Sequence, residues 1–261
     1  MRTLLTALFL ATLTAPAAAQ DRGDAPWRGN LSVSGNYNTG NLDQAQLLLR
    51  GHLSYSAEKA GNDLILNGFR FWLKYADGEP LTRIGDDLAV TDAPFYYFHP
   101  KFYLQGLGRY ESSQLHQLDH RINAGGGVGF TPVRREDVLM RVSVGAQYEH
   151  ARYPGEDFRL DIGHDGGNRT VPRVSINSNG WFQLADSPVS LRYLGYFMVN
   201  PLEPRDLRAS LDTSANLRVS RVFSAALTAT YGYNAVVLDA VDPQDFRVTA
   251  GVTLNTPPPE G

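Results

Sequence analysis

Between Phe102 and His150, three runs of alternating residues follow one another with only turns between them. In the first, Phe102, Leu104, Gly106, Gly108 and Tyr110 share one face, and Tyr103, Gln105, Leu107, Arg109 and Glu111 share the other. In the second, Ile122, Ala124, Gly126, Val128 and Phe130 oppose Arg121, Asn123, Gly125, Gly127 and Gly129. The third sets Val138, Met140, Val142, Val144, Ala146 and Tyr148 against Leu139, Arg141, Ser143, Gly145, Gln147 and Glu149. A period of two predicts strands with one apolar and one polar face. Runs of about a dozen residues exceed most strands of soluble proteins and suit a tilted crossing of a bilayer, which takes roughly 9 to 11 residues.

The same pattern extends in both directions. Leu31, Val33, Gly35 and Tyr37 oppose Ser32, Ser34, Asn36 and Asn38. Thr39-Gly40-Asn41 then supplies a tight turn. The return strand carries Ala45, Leu47, Leu49, Gly51, Leu53 and Tyr55 against Gln44, Gln46, Leu48, Arg50, His52 and Ser54. A third run places Ile65, Phe69, Phe71, Leu73 and Tyr75 on the apolar face, opposite Leu64, Leu66, Arg70, Trp72 and Lys74. The fourth, about Thr82 to Asp92, alternates least, and Pro94 and Pro100 bracket the turn expected after it, because proline cannot donate to a ladder. Past a long irregular segment, Arg152 to Val171, a hairpin follows: Val174, Ile176 and Phe182 oppose Arg173, Ser175, Asn177, Asn179, Trp181 and Gln183, and Val189, Leu191, Tyr193, Phe197 and Val199 oppose Ser190, Arg192 and Asn200. Arg208, Ser210, Asp212, Ser214, Asn216 and Arg218 mark the polar face of the next run, and Ala225 to Asn234 and Phe246 to Asn255 complete the series.

These runs predict an all-β fold, an antiparallel transmembrane barrel of about twelve strands over 29–255. An even count leaves both barrel ends on one side, with short turns there and longer loops opposite, among them Ala235 to Gln244. Aromatic residues of the apolar face gather near run ends, as Tyr55, Phe102, Tyr110, Phe130, Tyr148, Phe182, Tyr231 and Phe246 do, which favours lipid over a protein core around that face.

Composition narrows the setting. Residues 1–19 read as a cleavable signal peptide: Arg2, an apolar run from Leu4 to Leu13, a Pro16 break, and small residues up to Ala19. A short segment, 20–28, then precedes the barrel on the periplasmic side, and a Pro-rich tail, 256–261, follows it. The chain has no cysteine, so disulfides and thiolate chemistry are excluded, and a net charge of -3 leaves no nucleic-acid footprint.

Asn30-Leu-Ser-Val-Ser-Gly with Thr39-Gly40-Asn41, Arg109-Tyr-Glu leading to Leu118-Asp-His-Arg121, and glycine-rich Ala124 to Phe130 together resemble the domain-of-unknown-function 481 family. Its members are often labelled salt-induced outer membrane proteins or YdiY-like proteins. The likeness spans most of Asn30 to Leu254 and implies an outer membrane barrel with no established activity. The final strand passes through Phe246 to Leu254 and runs into Pro257-Pro258-Pro259, departing from the aromatic terminus usual in such barrels.

Candidate chemistry lies on the polar face, predicted to line the lumen: Arg50, Arg70, Lys74, Arg109, Arg121, Arg141, Arg173, Arg192, Arg208, Arg218 and Arg247, opposed by Glu111, Glu149 and Asp212. Surplus positive charge in a pore favours anions; the competing expectation is a lumen filled by arginine-carboxylate pairs, since about twelve strands fall between side-chain-filled and open barrels. His52 and Ser54 form a His-x-Ser pair on one face, the spacing of an outer membrane lipid hydrolase, although nothing around them supports catalysis. Glu156, Asp157, Asp161, His164 and Asp165 crowd the longest loop without calcium-loop spacing, so a solvated loop is expected. The expected protein is therefore a non-enzymatic envelope barrel or narrow pore without cofactors, its partners being outer membrane lipids and the barrel-assembly machinery. A soluble barrel holding an apolar ligand is the alternative.

Overall fold

The computed structural model describes residues 27–38, 43–74, 80, 82–135, 137–158, 160, 166–184, 187–220, 222–239 and 241–255. The predicted signal peptide, the Thr39-Gly40-Asn41 turn, Asp161, His164, Asp165 and the Pro-rich tail lie outside these residues.

Alternation has the expected consequence. The strands are β1 (Trp27–Asn38), β2 (Asp43–Ser56), β3 (Ala60–Lys74), β4 (Thr82–His99), β5 (Phe102–Ser113) and β6 (Leu118–Arg134). They continue as β7 (Val138–Arg152), β8 (Asn168–Gln183), β9 (Val189–Asn200), β10 (Glu203–Arg218), β11 (Phe223–Asn234) and β12 (Gln244–Asn255). Each pairs antiparallel with its sequence neighbours, and β1 closes on β12 from Asn30↔Asn255 to Gly35↔Ala250, giving a closed twelve-stranded barrel. Closure removes the free edges that would otherwise leave a row of backbone groups unpaired.

The barrel is polar inside and apolar outside. Arg173, Glu149 and Asp206 are at most 1% exposed, whereas Val128, Val144 and Leu227 are at least half exposed. Both sets sit on the same or adjacent strands, so the division follows side-chain parity and not position along the axis. The enclosed surface is mainly charge and amide, with aromatic side chains of Phe69, Phe95, Tyr97 and Tyr103 among them.

β3 has the opposite parity from that expected. Asp63, Asn67 and Phe69 point inward, Asp63 meeting Arg141 and Asn67 meeting Arg50, while Leu64 is exposed outside and the Arg70 side chain is 49% exposed. Arg70 and Lys74 are therefore not lumen residues. Register carries Lys74 outward opposite Asp43, and Arg70 pairs with outward Asp86 at 2.9 Å. Both faces of β3 carry large apolar side chains, and its inner aromatic, Phe69, is accommodated because the Arg247 guanidinium lies 4.0 Å from its ring centre.

β4 also runs further than expected, through Pro94 to His99. Pro94 is tolerated because β5 offers Gly106 opposite it: a Cβ on Gly106 would approach the proline ring to 3.0 Å. The inner glycines of β6 serve a similar purpose. The Tyr103 ring lies over Gly129, where an added Cβ would meet it at 2.0 Å.

The rim where β1 begins and β12 ends, here the proximal rim, carries the tight turns, such as Pro100-Lys101. The distal rim carries 153–167 and 235–243, along with the short 114–117 and 201–202 links. Parts of the two long loops bridge at Phe158↔Leu238 and build an apolar cluster with Leu118, Ala151, Tyr153, Val237 and Val241.

Candidate functional site: the lumen

Three interior layers are held by charge. In the distal layer, Glu149 of β7 accepts from Arg173 of β8 at 3.0 Å and from Arg208 of β10 at 2.9 Å. Arg173 also reaches Asp206 at 2.8 Å, and Arg169 pairs with the same carboxylate. Register explains the convergence: Ala151 of β7 has Arg121 beside it on β6 and Arg169 on β8, so two guanidinium groups flank a methyl. Glu111 answers Arg121 and Arg109, each at 3.4 Å. Taking these charges out of water is tolerable only because most are paired and hydrogen-bonded.

The middle layer spans the barrel. Arg50 on β2 donates to Asp212 on β10 at 2.8 Å, to Thr230 at 3.1 Å and to Asn67 at 3.1 Å. On another side, Arg247 reaches Asp87 at 3.5 Å and pairs with Asp245. Ser113 donates to the same Asp87.

In the proximal layer Asp63 on β3 accepts from Arg141 on β7 at 3.1 Å and lies 3.0 Å from His52 Nε2. Arg192 on β9 approaches His52 Nδ1 at 3.3 Å. A guanidinium only donates, so Nδ1 accepts and Nε2 carries the proton toward Asp63. Below them Phe95, Tyr97 and Tyr103 form a buried aromatic cluster, with Arg141 4.3 Å from the centre of the Phe95 ring.

Thus Arg50, Arg109, Glu111, Arg121, Arg141, Glu149, Arg173, Arg192, Asp212 and Arg247 do converge on the lumen, while Arg218 shares the inward parity but is exposed at the proximal rim. Sequence reasoning missed Asp63, Asp87, Asp206 and Arg169. Asp63 and Asn67 were visible as a polar pair four residues apart on β3, which would have set the parity correctly. Asp206 and Arg169 lie where strands meet loops, and pattern alone does not place them.

His52 and Ser54 do not form a nucleophile-base pair. Both His52 ring nitrogens are engaged by Asp63 and Arg192, and Ser54 Oγ donates to the Arg28 carbonyl at 3.4 Å. A nucleophile needs its base within hydrogen-bond reach.

The distal end is latched over the arginine layer. Arg121 donates to the Tyr153 hydroxyl at 2.9 Å, Tyr153 reaches the Val236 carbonyl at 3.4 Å, and Val236 and Val237 are at most 1% exposed. Beneath this cover, Arg121 Nε, Arg169 Nε and Nη1, and Arg173 Nε are buried without an acceptor among the described residues.

Residues 31–255 match the family profile described as Protein of unknown function, DUF481. No curated protein matches the chain. Among solved structures, it is similar to the NanC porin in a rhombohedral crystal form, at 7% identity, 87% of this chain, 98% of that chain and a TM-score of 0.48. It is also similar to the translocator domain of the autotransporter NalP from Neisseria meningitidis, at 11% identity, 97% and 96% coverage and a TM-score of 0.44. A third is the KdgM porin in complex with disordered oligogalacturonate, at 10% identity, 87% and 98% coverage and a TM-score of 0.39.

Proposed function

This chain belongs to the DUF481 family of proteins of unknown function, and from that premise we propose that it is an outer membrane barrel whose lumen is braced shut, an envelope structural protein and not an open diffusion pore. The observation carrying this reading is the set of ion pairs that cross the lumen between strands that are not neighbours, Arg50 to Asp212 and Asp63 to Arg141, with Glu149 held between Arg173 and Arg208. Open pores keep basic side chains free to meet ions; here many of the guanidinium groups are held by carboxylates, among them Arg50, Arg141, Arg173 and Arg208.

Membrane placement is supported by the exposed apolar belt, which no protein core covers and which water would not tolerate at that extent. On this reading the partners are bilayer acyl chains and the barrel-assembly machinery. The protein performs no catalysis, so phospholipid hydrolysis stays at background and Ser54→Ala changes nothing.

Planar-bilayer recording tests the braced lumen. The wild-type protein is expected to show no steady conductance, and Glu149→Gln or Asp63→Asn to raise brief openings. A large stable wild-type channel contradicts the reading. A narrow anion-favouring pore is the second reading, favoured by the guanidinium N–H groups left without acceptors. A reversal potential toward cations in the opened variants removes it.

A further inference from the structure

At the proximal rim the turn after β2, the Pro100-Lys101 turn and the end of β6 enclose a groove of about 820 Å³. Tyr97 and Thr131 form its inner wall, joined by a 3.0 Å hydrogen bond between their hydroxyls. Phe98 forms its outer lip and is 58% exposed. The Phe98 ring is the first of a ladder on the outer surface, 6.4 Å from Phe102, which is 5.2 Å from Phe130.

Around this lip stand Lys59, Lys101, Arg134 and Arg135, all exposed. Lys59, Lys101 and Arg135 make no ion pair with any described residue, and Arg134 leans over the Tyr97 ring at 5.0 Å. Glu58 is the carboxylate lining the groove, with Asp137 exposed just beyond it, so the balance is positive. Many of the lumen guanidinium groups pair with carboxylates, whereas Lys59, Lys101 and Arg135 pair with none among the described residues, and Arg134 lies against an aromatic ring. An aromatic ladder marks the level where hydrocarbon gives way to headgroups. Cations placed one turn beyond that level meet lipid phosphates.

We propose that this groove binds the headgroup of an anionic glycerophospholipid, the phosphate among Lys59, Lys101 and Arg135 and the acyl chains down the Phe98-Phe102-Phe130 ladder. The proposal rests on the membrane reading above. A soluble anion would need the cations but not the ladder, and the contiguity of the two is what selects a lipid.

Refolded protein in detergent is examined by native mass spectrometry with phosphatidylglycerol or phosphatidylcholine added at equal concentration. Retained phosphatidylglycerol is expected to exceed phosphatidylcholine. Lys59→Gln and Lys101→Gln should each weaken it about fivefold, the effect of one basic side chain at an anionic surface. The triple variant with Arg135→Gln should weaken it on the order of a hundredfold. Removing Arg70 and Arg83, outward cations toward the distal rim, should leave retention intact. Equal retention of the two lipids, or unchanged retention in the single variants, overturns the site. A polyglutamate peptide that displaces phosphatidylglycerol one for one overturns the lipid identity. Failure of the wild-type protein to insert into vesicles of either lipid overturns the membrane reading and the site with it; insertion without lipid preference overturns the site alone.

Discussion

Glu149 is the residue on which the distal layer converges. Its side chain is fully buried and holds Arg173 and Arg208, each also buried. Replacing it with glutamine keeps the volume but leaves Arg208 without its counter-charge and Arg173 with Asp206 alone, and breaking a buried pair costs about 3–5 kcal/mol. Urea unfolding of the refolded barrel in micelles should show that loss for Glu149→Gln. Arg70→Gln, which removes an exposed pair with Asp86, should cost under about 1 kcal/mol. A comparable loss at both positions would mean that Arg70 faces inward after all. Tyr103 and Gly129 make a second residue-scale case. Gly129→Val drives a side chain into the Tyr103 ring, so a loss of about 1–3 kcal/mol is expected from overpacking, measured the same way. An unperturbed midpoint would contradict the packing.

At the scale of the element, β3 separates what a sequence shows from what packing decides. Most of the other strands put most of their aliphatic residues outward as alternation predicts, because one face is mainly polar. On β3 the apolar signal is strong on both faces, and the bulky set, Phe69 and Phe71, suggested lipid. Phe69 instead lies under Arg247, a contact between strands far apart in sequence that no local pattern reports. The polar face was still written in Asp63 and Asn67, whose weight was outvoted by the phenylalanines. A double-mutant cycle of Phe69→Leu and Arg247→Gln should couple by about 0.5–2 kcal/mol. No coupling would return Phe69 to the outer face. β4 shows a different gap: proline marks strand ends in general, yet Pro94 sits within the strand because Gly106 leaves room for its ring. The distal loop is a third. Ala235 to Leu238 is an apolar run inside a segment expected as one of the longer outer loops, and it folds over the lumen against Tyr153. Its hydrophobicity was legible; the partner across the barrel mouth was not.

Over the whole molecule, the structure is a core turned inside out. Charge and amide dominate the interior, with Phe69, Phe95, Tyr97 and Tyr103 among them, and valine, leucine and further aromatic side chains form the surface. On the membrane reading proposed above, stability comes from a continuous ladder, ion pairs across the lumen and an apolar solvent outside, and the ion pairs that brace the barrel also obstruct diffusion through it. Whether hydrocarbon does touch the outer face is read most directly from lipid contact at successive positions of β7. Single cysteines from Val142 to Gln147, each carrying a fluorophore in reconstituted vesicles, would be quenched by brominated acyl chains. The account predicts strong quenching at Val142, Val144 and Ala146 and weak quenching at Ser143, Gly145 and Gln147. Quenching that fails to alternate, or that alternates in the opposite phase, would contradict it.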